Sequence, residues 1–265
     1  MAERPDLRGA PILLANDDGI HSQGLAVLER IALALGGEVW VVAPETEQSA
    51  ASHSLTIHRP LRLRQVGERR FTVDGTPTDC ALLGIRHVMR DRRPALLLSG
   101  VNHGSNLAQD VSYSGTVAAA IEATLLGVPA MALSLDLRAD VPPAWDTVER
   151  YGPDVIRTAW ATGWPDGVLV NVNFPARTPA EVTGVHVVPQ GRHSLQDQLD
   201  ERVDPRGRRY FWIGAREDTG APMPAGTDLQ VVADGGIAVT PLHLDHTHAP
   251  SVPAMAHAFA RGLVA

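Results

Sequence analysis

The stretch that most constrains this chain is ILLANDDG, residues 12–19. Its apolar half predicts a fully buried strand, because such strands are continuous hydrophobic runs rather than alternating patterns. Apolar residues at helical spacing follow over 24–35, and Gly36 and Gly37 end that helix. Ligands of open α/β sheets bind outside the carboxyl ends of the strands. Asp17 and Asp18, between the strand and the helix, are therefore candidate functional residues, although Asn, Asp and Gly are also ordinary turn residues.

Strand and helix patterns continue to alternate along the chain. Buried strands are predicted at 38–43, 95–99, 130–135 and 168–174, and helices at 76–90, 114–126 and 144–162. Residues 55–74 alternate in polarity around Gly67, which predicts hairpin strands. This order predicts an α/β fold with a mostly parallel sheet and helices on both faces.

The pattern changes after Pro175. Short strand-like runs at 185–188, 210–213 and 237–240 are separated by long polar connections. Connections of that length often serve function or oligomer contacts. We therefore divide the chain into a core, 1–175, and a C-terminal extension, 176–265, with hairpin-like excursions and a terminal helix.

Composition excludes several classes of protein. The net charge is −7 and the arginines are scattered, which disfavours a nucleic-acid groove. The chain has no lysine, which removes the P-loop and any Schiff-base mechanism. No apolar run approaches the roughly 20 residues of a membrane span. Cys80 is the lone cysteine and reads as a core residue, and the N-terminus is charged, so we expect a cytoplasmic protein.

Polar residues follow three of the predicted strands. Asp17 and Asp18 follow the first, Ser49 the second, and Asn102 and Asn106 the third. These oxygen donors suit Mg²⁺, Mn²⁺ or Ca²⁺ better than zinc. Taken singly, each is also a common turn residue.

A fourth candidate element is the start of the helix at Ser114, Gly115 and Thr116. Free backbone N–H groups at a helix N-terminus bind phosphate, although Ser114 also reads as an ordinary N-cap. A metal beside a phosphate site is sufficient apparatus for phosphoester hydrolysis.

Two groups of histidines are weaker candidates. His53, in the second loop, is a candidate for acid/base chemistry. His243, His246 and His248 have no helical spacing for a metal and are interpreted as solvated or hydrogen-bonded side chains.

The chain resembles the SurE family, the survival-protein-E type of 5′-nucleotidase, over nearly its whole length. The matching stretches are ILLANDDGI at 12–20, VVAPETEQSAASHSLT at 41–56, VDGTPTDCALLG at 73–84, SGVNHGSN at 99–106, YSGTVAAAIEA at 113–123, VNVNFP at 170–175, RVDPRGRRYFWIG at 202–214 and IAVTPLHLDHT at 237–247.

The resemblance implies a Rossmann-like core and a C-terminal extension used in forming a homodimer or homotetramer. It implies one divalent metal per subunit, Mg²⁺ or Mn²⁺, held by Asp17, Asp18, Ser49 and Asn102. The implied activity is hydrolysis of nucleoside 5′-monophosphates, in some members also of 3′-monophosphates and short polyphosphate. Gln48 departs from the basic residue that many members have there, which puts polyphosphate use in doubt.

The leading hypothesis is a metal-dependent phosphomonoesterase with Asp17 and Asp18 as its catalytic residues. Asn106, Ser114, Gly115 and Thr116 would bind the phosphate of a nucleoside monophosphate. Either water or a carboxylate is the attacking group, and we favour water.

Other functions fit the sequence less well. A haloacid-dehalogenase phosphatase needs two acids two residues apart, and a receiver domain needs a later lysine. No GxGxxG follows a strand, as a dinucleotide oxidoreductase would require. A nucleotide-binding sensor without turnover stays open as the alternative.

Overall fold

A nine-stranded sheet forms the centre of the computed structural model, which describes residues 6–139, 141–192, 195–196, 199–213, 217–218 and 223–262. The strands of the chain are β1 (Pro11–Ala15), β2 (Glu38–Pro44), β3 (Leu63–Gly67), β4 (Arg70–Val73), β5 (Leu96–His103), β6 (Ala130–Leu135), β7 (Val168–Phe174), β8 (Val185–Val187), β9 (Leu195–Gln196), β10 (Leu199–Val203), β11 (Arg209–Ile213), β12 (Glu217–Asp218) and β13 (Ile237–His243). The order in the sheet is β3-β4-β2-β1-β5-β6-β7-β13-β8. From β4 to β7 neighbouring strands are parallel, so the predicted mostly parallel sheet is confirmed.

Helices cover both faces of this sheet, as predicted. They are α1 (Gln23–Ala34), α2 (Pro77–Leu83), α3 (Gly115–Leu125), α4 (Trp145–Thr162), α5 (Asp228–Ala233) and α6 (Val252–Gly262). Ile12 and Leu14 of β1 pack in one hydrophobic cluster with α1 and α4, whereas Leu13 and Ala15 pack in the other with α2 and α3. β1 is apolar throughout because successive side chains point to opposite faces and both faces are covered.

Three elements differ from their predicted extents. β5 continues beyond residue 99, because Asn102 and His103 pair with Ser134 and Leu135 of β6 after an irregularity in register. α2 ends at Leu83 and a π-helical turn, Gly84–Val88, continues it. The alternation at 55–57 forms no strand, and the hairpin is confined to β3 and β4.

The polypeptide after Pro175 contributes to the same sheet. β13 pairs antiparallel with β7, and β8 pairs parallel with β13. β10 and β11 form a separate antiparallel hairpin outside the nine-stranded sheet. The division of the chain at residue 175 stays a prediction, although hydrogen bonding of the sheet crosses it. Among the described helices, none has both the length and the apolarity needed to span a membrane.

Candidate active site

The loop between β1 and α1 is folded back on itself by Asn16. This buried side chain donates from Nδ2 to the Gly19 carbonyl at 2.9 Å and to Ser22 Oγ at 2.8 Å. Ser22 in turn caps α1 by accepting from the Leu25 amide. The turn places Asp17 and Asp18 side by side on the wall of one cavity at the carboxyl end of β1.

Asp17 is enclosed by the first turn of α3. Thr116 Oγ1 donates a hydrogen bond to Asp17 Oδ1. A Cβ on Gly115 would lie 2.8 Å from Asp17 Cβ and 2.9 Å from its Oδ2, so only glycine fits there. Burial raises the pKa of the Asp17 carboxyl from 3.8 to about 6, and the neighbouring Asp18 charge adds to the rise.

Asp18 is less deeply placed than Asp17. Its Oδ2 accepts from the His103 amide at 3.2 Å, which ties it to the end of β5. Burial raises the pKa of the Asp18 carboxyl as well, and the nearby Glu47 acts in the same direction. Ionisation of two adjacent carboxyls is unfavourable in this setting, and a bound cation would offset that cost.

The second loop is attached to the first through its backbone. The Gln48 amide donates to the Asp17 carbonyl at 2.8 Å, which brings the next residue, Ser49, to the cavity wall. Ser49 is exposed, and its Oγ donates to Glu47 Oε1 at 2.6 Å.

The third loop supplies two asparagines in different settings. Asn102 lines the cavity, and its Nδ2 donates to the Gly104 carbonyl at 2.8 Å, which leaves its side-chain oxygen for a ligand. Asn106 is held from behind by the sheet. Its backbone N–H donates to Asn173 Oδ1, and its side-chain Nδ2 donates to Ser134 Oγ, both at 2.8 Å.

The N-terminus of α3 closes the site. Ser114 is the N-cap, and its Oγ accepts from the Val117 amide at 3.0 Å while the residue also lines the cavity. Gly115 and Thr116 lie behind Asp17 rather than on the wall, so their first contact is with that carboxylate.

Six of the eight predicted site residues therefore share one cavity of about 470 Å³: Asp17, Asp18, Ser49, Asn102, Asn106 and Ser114. Sequence reasoning missed other residues on its wall: Ser22, Gln23, Gly24, Glu47, Ala50, His103, Asp110, Tyr113 and Trp145. The signal for Glu47 and Asp110 was available, because both are acids close to loops already singled out. No sequence pattern marks Trp145, because it reaches the site through tertiary packing. Its ring stacks on His103 at a centroid distance of 6.0 Å.

The histidine candidates lie elsewhere. His53 pairs with Glu122, Nε2 to Oε2 at 3.0 Å, and is not on the cavity wall. His243 and His248 make local hydrogen bonds with Asp245 and Ser251. Among the residues that the structure describes, no three or more His, Cys, Asp or Glu side chains form a metal-binding group. Cys80 is buried in the core, and burial raises the pKa of its thiol well above the ordinary value.

The family model described as survival protein SurE matches residues 12–197. The chain belongs to the SurE family. A 5′-nucleotidase SurE of Paramagnetospirillum magneticum is 56% identical over 248 residues, covering 94% of this chain and 95% of the relative. The 5′-nucleotidase SurE of Azorhizobium caulinodans is 51% identical over 251 residues, covering 94% of this chain and 98% of the relative.

A solved structure agrees with these SurE relatives. The crystal structure of SurE protein from Aquifex aeolicus superimposes with a TM-score of 0.81 at 37% identity, covering 94% of this chain and 99% of that one. The predicted family and α/β fold are confirmed. The prediction of an enzyme of the nucleotidase class is confirmed, because the SurE relatives are named as 5′-nucleotidases.

Proposed function

We propose that this chain is a metal-dependent phosphomonoesterase that hydrolyses nucleoside 5′-monophosphates to nucleoside and phosphate. One observation carries the proposal: a buried and a half-buried carboxylate at a strand end face the same cavity as the N-cap of α3. That arrangement puts cation ligands beside a helix N-terminus, where anions are favoured. The names of the SurE relatives supply the substrate class.

The donor set fits one divalent cation per subunit, Mg²⁺ or Mn²⁺. Asp17, Asp18, Ser49 and Asn102 offer only oxygen donors, which hard cations prefer. The raised pKa values of the two carboxyls mark a site where negative charge is unfavourable without a counter-charge. A cation bound there would neutralise phosphoryl charge and favour ionisation of water.

The surrounding residues fix the positions of these groups. Thr116 orients Asp17, and the His103 amide orients Asp18. Asn106, held by Asn173 and Ser134, and Ser114 are the candidates for contact with phosphate. In phosphoryl transfer, positioning and electrostatic stabilisation supply most of the acceleration, so rigid support of this kind is what the chemistry needs.

We include a homodimer or homotetramer in the proposal, with the C-terminal extension as its interface. Every residue of the two strands β10 and β11 is exposed, including Phe211, Trp212 and Ile213. Large exposed apolar patches mark interaction sites. A cytoplasmic location stays a prediction based on the lone Cys80.

Phosphate release from a panel of nucleoside 5′- and 3′-monophosphates, with Mn²⁺, Mg²⁺ or a chelator, tests the proposal. We expect metal-dependent release from 5′-monophosphates that falls by roughly 10²-fold or more in Asp17→Asn. Asp154→Asn, which removes an exposed carboxylate on α4 paired with Arg157, is the control and should keep full activity.

The alternatives give different results in the same assay. Tight nucleotide binding with no release under any metal would favour a sensor without turnover. Full activity of Asp17→Asn would overturn the assignment of that residue. Release from 3′-monophosphates would extend the substrate range, and release from polyphosphate would show that Gln48 does not prevent it.

A further inference from the structure

The long excursion between Gly191 and Asp228 begins and ends at the active-site loop. Gln190, just before the excursion, donates from Nε2 to the Ala108 carbonyl. Asp228, just after it, accepts from the Ala108 amide at 2.9 Å through Oδ2. The carbonyl and the amide of Ala108 are thus bound by residues at the two ends of the excursion.

The two ends are also joined to each other. Asp228 Oδ1 accepts from the Gly191 amide at 2.7 Å, and the Asp228 amide donates to the Pro189 carbonyl at 3.1 Å. A Cβ on Gly191 would lie 2.9 Å from Asp228 Oδ1, so the approach requires glycine. Asp228 is fully buried, and a buried carboxylate is tolerated only when hydrogen bonds replace its hydration.

Hydrophobic packing supports the same junction. Leu107 and Ala108 form a small core cluster with Leu229, Val232 and Ala238, separate from the two large clusters on the sheet faces. Leu107 and Ala108, in the loop that follows β5, therefore pack on α5 and β13, which are distant in sequence.

Ala108 has an unusual backbone conformation. Its φ is +48°, in the left-handed region, which costs a non-glycine residue roughly 1 kcal/mol. Such conformations persist where surrounding contacts determine them. Ala108 starts the 3₁₀ turn Ala108–Ser112, and the Asp110 carbonyl in that turn accepts from the amides of Tyr113 and Ser114. Asp110, Tyr113 and Ser114 all line the cavity.

We propose that Gln190 and Asp228 are positioning residues for the active site. They fix Ala108, and through the 3₁₀ turn they set the wall formed by Asp110, Tyr113 and Ser114. Displacement of the excursion would therefore change the phosphate-binding side of the cavity. The inference deepens the proposed phosphomonoesterase and rests on it for its kinetic test, whereas its hydrogen-exchange test does not need turnover.

The kinetic test compares Gln190→Ala with Gln230→Ala. Gln230 lies in α5 at the other end of the excursion, and its Oε1 accepts from the Gly226 amide rather than holding Ala108. We expect kcat to fall roughly tenfold in Gln190→Ala. The Mn²⁺ concentration for half-activation should not change, because the metal-binding residues are untouched. Gln230→Ala should keep wild-type values, and wild-type kcat in Gln190→Ala would overturn the proposal.

Hydrogen exchange with and without inorganic phosphate separates positioning from general destabilisation. Gln190→Ala should speed exchange at 108–114 while leaving the amides of α3 beyond its first turn unchanged. In the wild type, phosphate should slow exchange at both 108–114 and 190–191, and in Gln190→Ala the effect at 190–191 should be lost. Uniformly faster exchange in the variant, or no phosphate effect at 190–191 in the wild type, would contradict the proposal.

Failure of the proposed function and failure of the positioning role give different results. A wild type that releases no phosphate from any nucleotide would refute the proposed function, while exchange at 108–114 would still decide the role of Gln190. Asp228→Asn gives a second exchange measurement with a side chain of the same size. Its single acceptor oxygen should stay with the amides of Gly191 and Leu229, which both bind Oδ1, so that its NH2 group faces the Ala108 amide. We expect faster exchange of the Ala108 amide, and an unchanged rate would contradict the positioning role of Asp228.

Discussion

Asp17 shows how a side chain suited to function can be unfavourable for stability. Its exposed fraction is 5%, and its pKa is raised from 3.8 to about 6, mainly because burial removes water from the charged form. A rise of this size corresponds to about 3 kcal/mol against the ionised state. The metal-free protein therefore bears a cost at neutral pH that a bound cation would offset.

Asp17→Asn should stabilise the chelator-treated protein at pH 7 by up to about 3 kcal/mol. The folded carboxyl holds its proton more tightly than the unfolded one. The stability associated with Asp17 is therefore full below pH 3.8 and lost as pH rises through about 6. Urea unfolding between about pH 4 and 7, which spans both pKa values, should show a decline in the wild type that is weaker in the variant. Equal pH dependence in both proteins would contradict the assigned cause.

Gly115→Ala tests the close approach between α3 and Asp17. The added Cβ would lie 2.8 Å from Asp17 Cβ and 3.0 Å from Pro77 Cγ, so one of the groups must move. We expect a loss of about 1–3 kcal/mol in stability and a fall in kcat, since the proposed catalytic carboxylate would be displaced. Thermal unfolding and steady-state kinetics measure both, and an active, stable variant would show that the approach is looser.

Sequence reasoning located the cavity-lining residues that follow strands directly. Asp17, Asp18 and Asn102 are set by local pattern, because parallel strands end at one edge of the sheet. Trp145 and Asp228 could not be found in this way. They reach the site or its supporting loop from distant elements, and only tertiary packing brings them there.

At the scale of elements, the N-caps of α2 and α3 form a matched pair. Thr76 Oγ1 accepts from the Asp79 amide at 3.1 Å, and Ser114 Oγ accepts from the Val117 amide at 3.0 Å. Loss of such a cap costs about 1 kcal/mol. Only Ser114 lines the cavity.

Both Thr76→Ala and Ser114→Ala should therefore lower stability, measured by urea unfolding. The loss should be at least as large for Thr76→Ala, because Thr76 Oγ1 also donates to the Ser54 carbonyl at 2.7 Å. Only Ser114→Ala should lower kcat/KM for a nucleoside 5′-monophosphate, which separates a capping role from contact with phosphate. Equal kcat/KM in the two variants would show that Ser114 acts as a cap alone.

The same elements show where prediction from sequence succeeds and fails. The start of α2 was recognisable, because Thr76, Pro77 and Asp79 form a capping box with proline in the first turn. The end of β5 was not, because its last residues pair with β6 after an irregularity that no local pattern marks. Caps are local in sequence, whereas strand extent depends on a partner strand.

At the scale of the whole molecule, the hairpin β10–β11 has no partner in the described part of the nine-stranded sheet. Tyr210 and Trp212 alternate with Phe211 and Ile213, so large apolar side chains occupy both faces of the ribbon. Exposed fractions of 57% for Phe211 and 81% for Ile213 are unfavourable in an isolated subunit. An isolated two-stranded hairpin is marginally stable in water, which supports the proposal that a second subunit covers these faces.

Trp212→Glu should shift the protein toward the monomer in sedimentation velocity, because a charge would be buried at the proposed subunit interface. Leu33→Glu is the matched control, since Leu33 is similarly exposed at 58% but lies on α1, away from the hairpin. Since Gln190 and Asp228 connect the excursion to Ala108, Trp212→Glu should also lower kcat. Leu33→Glu should change neither the sedimentation coefficient nor kcat. An unchanged sedimentation coefficient in Trp212→Glu would exclude this face of the hairpin as the interface. A monomer with wild-type kcat would show that assembly and the active-site wall are independent.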